Sequence, residues 1–364
     1  MRILLLLLLL MPWVAAAQRT PKPTPTPVLL DPRGPAEVTV CSQNLQNYGP
    51  FRLAALRDAR LTPENYHQKE LALIERFVAA GCDVIALQEL IGKTDDQLTK
   101  ALQRLADLLR RRTNRFFDLR IAPSNDKILH NAYLVAKDRA EILSTLSYRK
   151  VELPKISFKQ RPRYFSRGPF EMQISVKGRE GSISRNMVLV TFHFKSAGGS
   201  GRDPAGLSWE SYRMEMAEGL RRIVESRHAA SFGSPDPLLL LLGDRNSHTD
   251  QAASRILEGV VQLNHFRPRG PCRLTKRGVP LCQGDAWLPQ RLFSLLTLDP
   301  QTKLRPGTYQ LRTTFSWIDD ILAPAETLRF AWSKFDVEGD YDSGVVGVPA
   351  NASDHALVWA RFNW

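Results

Sequence analysis

Hydrophobic positions along the chain fall into short alternating or continuous runs, separated by stripes of helical period. Residues 37–43 alternate Val38 and Val40 with polar neighbours, the pattern of a half-buried strand. Thr62 followed by Pro63 reads as an N-cap and first helical turn. Leu71, Ile74, Phe77 and Val78 then share one helical face, and Gly81 closes the helix. Residues 83–88 (DVIALQ) form an apolar run of buried-strand length, and a second helix runs through Leu102, Leu105, Leu108 and Leu109. Strand-like segments follow near 116–121, 131–136, 143–148, 170–177 and 186–194. Ser208 opens another helix whose stripe includes Met216, Leu220, Ile223 and Val224. Residues 237–242 make a further buried strand, and strands near 315–322 and 355–361 end the pattern. Strands with helices interspersed, and no repeat of solenoid or propeller period, predict one continuous domain of two sheets covered by helices.

The N-terminus follows a different rule. Arg2, the apolar run from Ile3 to Met11 and the small residues Ala15 to Ala17 read as a secretory signal peptide cut after Ala17. That run is too short to span a bilayer, which takes about 20 apolar residues. Residues 18–35 alternate Pro with Thr and are expected to form an extended tether, leaving 36–364 as the folded domain. The expectation is a secreted or periplasmic protein without stable membrane insertion, acting as a monomer.

Composition supports a folded chain: 43% hydrophobic and 24% charged residues in 364 exclude a disordered protein. Four cysteines are too few for a disulfide scaffold, and no CxxC pair suggests a zinc site. The net charge of +13 is carried mostly by arginine, which suits bidentate phosphate contacts. Coding bias and solubility explain such a charge equally well, so it does not decide the function.

Candidate chemistry concentrates where the predicted strands stop. The first ends in Ser42-Gln43-Asn44, the second in Gln88-Glu89, and the strand at 186–194 delivers His193 followed by Lys195. The strand at 237–242 runs into Gly243-Asp244-Arg245-Asn246. Near the C-terminus come Trp317-Ile318-Asp319-Asp320 and Ser353-Asp354-His355. Polar residues abutting apolar strands are where α/β folds place ligand sites. Each motif alone has an ordinary reading as a turn, a core histidine or a local salt bridge. Their order and strand context together are specific.

In that combination the chain resembles the endonuclease/exonuclease/phosphatase superfamily, in particular its secreted bacterial nucleases. The resemblance spans about residues 36–364 and implies an α/β fold, a four-layer sandwich of two mainly antiparallel sheets packed face to face with helices outside. It implies metal ligation by Glu89, with Asn44 and Asp354 completing an oxygen-rich set for Mg²⁺, or for Mn²⁺ or Ca²⁺. It implies that His193 contacts the scissile phosphate, that Asp244 activates or orients water, and that Asn246 holds a phosphate oxygen. Asp319 would orient His355, and Arg167 and Lys195 would be phosphate contacts. Asp244 and the His355–Asp319 pair both remain candidates for the proton acceptor.

A bound divalent cation would neutralise the phosphodiester, and fixed donors would meet charge developing on its oxygens. No P-loop, HExxH or nucleophilic Ser or Cys motif occurs, which leaves direct water attack as the simplest chemistry. The expected substrate is nucleic acid, DNA before RNA. A phosphatase or phospholipase-C-type hydrolase of inositol phosphates or sphingomyelin is the alternative, and an inactive binding module the second. Trp317-x-Asp319 lies closer to the inositol phosphatase pattern, but an acid at Asp320 would disfavour a polyphosphorylated head group. Arg213 is expected to be structural and partner-bound. Residues 262–292 read as a basic insertion carrying Arg267, Arg269, Arg273, Lys276 and Arg277, expected to grip a nucleic-acid backbone and stiffened by a Cys272–Cys282 disulfide. Cys41 and Cys82 are expected to be buried and unpaired.

Overall fold

A computed structural model describes residues 37–157, 161–177, 184–196, 209–284, 288–298, 306–311, 313–332, 342–346 and 352–363. The predicted signal peptide and tether and the predicted helix start Ser208 lie outside them.

The first half contains β1 (Glu37–Tyr48), α1 (Phe51–Arg57), α2 (Pro63–Ala80), β2 (Val84–Ile91), α3 (Asp95–Thr113), β3 (Phe117–Ile121), β4 (Leu129–Ala136), β5 (Ala140–Ser147), β6 (Phe170–Val176) and β7 (Arg185–His193). The second half contains α4 (Glu210–Arg227), β8 (Leu238–Asp244), α5 (Ala252–Leu257), β9 (Cys272–Leu274), β10 (Pro280–Cys282), β11 (Leu292–Ser294) and α6 (Leu295–Leu298). It ends with β12 (Tyr309–Leu311), β13 (Thr314–Ser316), β14 (Asp319–Pro324), α7 (Ala325–Trp332), β15 (Asp342–Val346) and β16 (Leu357–Asn363). The strand predicted at 315–322 is split, its first part forming a small hairpin with β12 before Asp319 starts β14.

Two six-stranded sheets form, in the orders β15-β16-β1-β2-β4-β3 and β11-β14-β8-β7-β6-β5. Only β1–β2 and β7–β8 pair in parallel within them; the other pairings are antiparallel. Alternation along the strands sorts the core into layers. Val38, Val40, Val84 and Ala86 of one sheet meet Met187, Leu189, Leu240, Leu242 and Ile321 of the other. The opposite face of the first sheet, through Leu45, Ile85 and Leu87, packs on α2 and α3 at Leu73, Phe77, Leu102 and Leu105. The opposite face of the second, through Val188, Val190 and Leu241, packs on α4 and α5 at Met216, Leu220 and Ile256. Helix, sheet, sheet and helix therefore stack as four layers.

The expected helix signals operate: Thr62 Oγ1 caps α2 by accepting from Asn65 N at 3.2 Å, and Gly81 terminates it in the left-handed region at φ 67°. Gly243 is required for another reason. A Cβ there would lie 1.9 Å from the Phe192 carbonyl oxygen of the neighbouring β7, so only glycine lets β8 approach.

Cys272 and Cys282 are bonded, as the insertion suggested, and they close the β9–β10 hairpin. Cys41 and Cys82 are also bonded, against the expectation of two free thiols. Cys82 sits in the turn between α2 and β2 rather than on a strand, and the parallel β1–β2 pairing brings that turn beside Cys41. This bridge links residues 41 positions apart. Replacing both cysteines with Ser is expected to cost about 2–4 kcal/mol of unfolding free energy, read by urea denaturation; an unchanged midpoint would show the bond contributes nothing.

A second stabilising device is polar. The Glu171 carboxylate on β6 is buried, accepting from Tyr148 Oη, from Gln173 Nε2 at 3.3 Å and lying 2.9 Å from His228 Nε2. Burial alone would raise its pKa, but the hydrogen bonds from His228 and Tyr148 outweigh burial and lower it to about 2. A depressed folded-state value stabilises the protein above the ordinary glutamate range, and that stabilisation is lost as pH falls from about 4.5 towards 2. Its size is about 3 kcal/mol. Glu171→Gln is expected to flatten the pH dependence of the unfolding midpoint across that window; an identical acid profile in the variant would refute the assignment.

Candidate active site

The candidate site is built by the rows of side chains that form the inter-sheet core. Along β1 the inward positions run Val38, Val40, Ser42, Asn44; along β2 Val84, Ala86, Gln88; along β7 Met187, Leu189, Thr191, His193; and along β8 Leu238, Leu240, Leu242, Asp244. Each row is apolar at one end and turns polar at the other. Asp319 enters from β14, opposite Asp244 in register. Behind the outermost layer, Gln88 Nε2 donates to Thr191 Oγ1 at 2.9 Å and to Ser42 Oγ at 3.1 Å, tying the two sheets together.

Asp244 is the hub. Its Oδ2 accepts from Asn44 Nδ2 at 3.0 Å across the sheets and from Asn246 Nδ2 at 2.9 Å, and its Oδ1 accepts from Asn246 N at 2.7 Å. His193 Nε2 lies 3.4 Å and His355 Nε2 3.9 Å from the same Oδ2. Asp319 holds His355 through Nδ1 at 2.9 Å and 3.0 Å, and the Tyr309 ring lies against the imidazole at 4.7 Å between centroids.

The electrostatics separate the two histidines. Burial holds His193 well below its ordinary pKa, and Arg167 and His355 push the same way, so it is neutral. Burial also opposes charge on His355, but the Asp319 and Asp244 carboxylates outweigh it and lift His355 to about 10. Burial pushes the Asp244 carboxyl up to about 7, against the pull of His355.

Glu89 reaches this cluster through its backbone rather than its strand parity. It follows the inward Gln88, so a regular strand would turn it to the helices. The β2–β4 register shifts between Leu87 and Leu90, and Glu89 adopts φ 60°. Its Oε1 then lies 3.7 Å from His193 Nε2, on the inward side. Gln46 and Asn47 share the left-handed conformation, and so does Asn246. Among the described residues only one other non-glycine, the helix-terminal Asn114, does so, which places the backbone strain at the site. The strained pair holds the acids: Asn47 N donates to Glu89 Oε2 at 3.0 Å, and Gln46 Oε1 accepts from Asp354 N at 3.2 Å. Lys69, buried and lowered to about 8 by burial, donates to Gln46 O at 2.6 Å.

Two groupings have the chemistry of a cation site. Asp244, Asp319 and His355 bring ligand-type atoms within 4.8 Å of one another. Asp319 already occupies His355 Nδ1 there, and the ring carries charge. At the rim, Asp354 Oδ1 is buried and accepts no hydrogen bond among the described residues, and Glu89 raises the Asp354 pKa after burial and against His355. Asp354 Oδ1 lies 3.9 Å from His355 Nε2 without a hydrogen bond, so Asp354 and the Glu89 that raises its pKa are the carboxylates left for a hard cation. Asn44, expected with them, turns its amide nitrogen to Asp244 and its oxygen to Gln46 N at 2.9 Å.

The expected phosphate contacts divide. Arg167 is buried beside the site, donating to Phe194 O at 2.7 Å, the carbonyl that Asn246 Nδ2 also meets at 3.3 Å. Lys195 lies at the rim with its Nζ 5.1 Å above the Trp209 ring. Arg213 is structural, as expected: it is buried, bonded to Glu210, and donates to Lys195 O at 3.2 Å. The basic hairpin is split by its own fold. Its tip, with Lys276 and Arg277 exposed, docks where Gln251 Nε2 donates to Arg277 O at 3.1 Å while Gln251 Oε1 accepts from His248 N, just past Asn246. Arg273 folds back on Gly270, Cys272 and Pro268 carbonyls, Arg269 is exposed near the base, and Arg267 lines a hollow with Lys155 and Arg222 against α4.

Asp320 has a different place from the one its sequence suggested. It alternates away from Asp319 to the outer face of β14, where it is buried against Arg245 Nη2 at 3.0 Å and accepts from Ser294 Oγ at 2.7 Å. Arg245 also pairs with Glu258 at 3.2 Å. Asp320 therefore cannot repel a substrate head group, and Trp317 packs on the inter-sheet core. Sequence reasoning also missed Arg76, which donates to His355 O at 2.6 Å and so positions the histidine's loop. No local signal marks it, because its partner is 279 residues away.

No protein-family model matches the chain, and neither does any curated protein. Solved structures do. The human Nocturnin catalytic domain with bound sulfate matches at TM-score 0.52 and 14% identity, over 90% of this chain and 94% of that one. D. rerio TDP2 complexed with single-strand DNA product matches at 0.50 and 15%, over 90% and 99%. The endonuclease/exonuclease/phosphatase from Bacteroides vulgatus matches at 0.50 and 12%, over 90% and 99%. At such identities the likeness is one of architecture: the chain has the endonuclease/exonuclease/phosphatase fold. None of the described helices is long and apolar enough to cross a membrane.

Proposed function

We propose that the chain is an exported, metal-dependent phosphodiesterase that hydrolyses nucleic acid by direct attack of water. The observation that carries this reading is the Asp244 hub, a buried carboxylate fixed by Asn44 and Asn246 with an imidazole on either side. Glu89 and Asp354 would hold the cation, Mg²⁺ before Mn²⁺ or Ca²⁺. When bound it supplies charge neutralisation at the phosphate oxygens. Asp244 orients the attacking water and takes its proton, because the Asp319 and Asp244 carboxylates keep His355 protonated and so a donor. His355 and His193 donate to phosphate oxygens as charge develops, and Asn246 and Arg167 steady the phosphate. The DNA product in the TDP2 structure supports the choice of nucleic acid over small phosphoesters.

The test offers the purified chain from Gln18 plasmid DNA, RNA, sphingomyelin and an inositol polyphosphate, each with Mg²⁺ or EDTA. Cleavage of nucleic acid that EDTA abolishes is the expected result, and Glu89→Gln is expected to raise the Mg²⁺ concentration needed at least tenfold. Phosphate release from the inositol substrate with intact plasmid would overturn the reading.

A further inference from the structure

Beside the candidate site, on the His193 side, aromatic and basic side chains interleave on the surface. Tyr164 is 45% and Trp209 41% exposed. Trp209 and Tyr212 lie 6.4 Å apart, and Tyr212 Oη donates to Tyr164 O, so the three rings belong to one patch. Each inner ring carries a cation: Lys195 Nζ lies 5.1 Å over Trp209, and Arg163 Cζ 5.4 Å over Tyr212. A hollow of ≈520 Å³ opens between Tyr164 and Tyr212, flanked by Arg149 and Lys150.

The patch is wired to the site. Arg213 fixes the Lys195 carbonyl, and Arg167 and Asn246 share the carbonyl of Phe194 one residue earlier. A chain whose scissile phosphate rested at His193 would next cross Lys195 and Trp209. Rings offer faces to bases, and cations beside them meet the phosphates between bases. Paired bases turn their faces inward, so only an unpaired strand can use such a surface. An anionic membrane also attracts rings and cations, but insertion needs a contiguous apolar face, and the exposed rings here are set among basic side chains.

We propose that Trp209, Tyr212 and Tyr164 form a stacking platform for the unpaired nucleic-acid strand flanking the scissile phosphate, making single-stranded nucleic acid the preferred substrate form. This rests on the nuclease reading above. The test measures fluorescence anisotropy of a labelled single-stranded oligonucleotide and a blunt-ended two-strand duplex on the full mature chain in EDTA, with both ligands verified intact, beside co-sedimentation of the same chain with phosphatidylserine vesicles. Trp209→Ala and Tyr164→Ala are each expected to weaken single-strand binding about 5- to 100-fold, with Trp209→Phe retaining most of it and duplex binding changing less than twofold. Equal losses on both ligands, no loss on either, or binding confined to phosphatidylserine vesicles would overturn the platform. Because binding is read without cleavage, failure of the nuclease reading appears separately, as absence of any metal-dependent cut by the parent chain.

Discussion

Asp244→Asn is expected to lower turnover on nucleic acid by about 10²- to 10⁴-fold while the protein stays folded. The carboxylate joins both halves of the site, since Asn44 reaches it from β1 and Asn246 from the loop after β8. An amide keeps an oxygen to accept one of these donors but cannot take a proton from water. Burial already works against the charge at this position, so the neutral isostere is tolerated by the fold. Steady-state turnover beside a thermal melt checks both halves of the statement. Near-parental activity in a folded variant would remove Asp244 from the mechanism.

The second large effect is on stability. Asp320→Ala leaves Arg245 buried with Glu258 as its remaining partner, and breaking a buried ion pair costs about 3–5 kcal/mol. The lower end is expected because Glu258 stays. The pair Arg245→Met with Asp320→Leu is expected to recover part of the loss, since both charges leave together and Glu258 keeps Arg255 at 3.3 Å. The preference between nucleic acid and inositol polyphosphate is expected to be the same per folded molecule. A variant of parental stability that gains activity on inositol polyphosphate would return Asp320 to the substrate face.

How far the sequence could be read follows from strand alternation. Asn44, His193 and Asp244 extend rows whose earlier members are the apolar core residues of the same strands, and any reading that finds those strands finds their polar ends. Glu89 belongs to the site by motif but not by parity. What turns it inward is a bulge and a left-handed backbone, neither of which has a composition of its own. Asp319 and Asp320 are adjacent acids with opposite fates for the converse reason. One residue along a strand exchanges the site face for the helix face, which motif comparison at Asp320 overlooks. The Cys41–Cys82 bond needed the parallel register of β1 on β2, and Arg76 and Tyr309 needed the whole chain closed around His355. Charge in the 262–292 segment was legible, but not that its tip is the end docked on Gln251 and Arg267 the end turned to α4.

The most direct measurement is cleavage of plasmid DNA and RNA by the purified chain in H₂¹⁸O, with Mg²⁺ or with EDTA, followed by mass analysis of the phosphate ends. Water attack from Asp244 predicts cutting only with the metal and one heavy oxygen in the phosphate at each cut. Cutting that survives EDTA, product phosphates without the label, or intact nucleic acid in every tube would contradict the account.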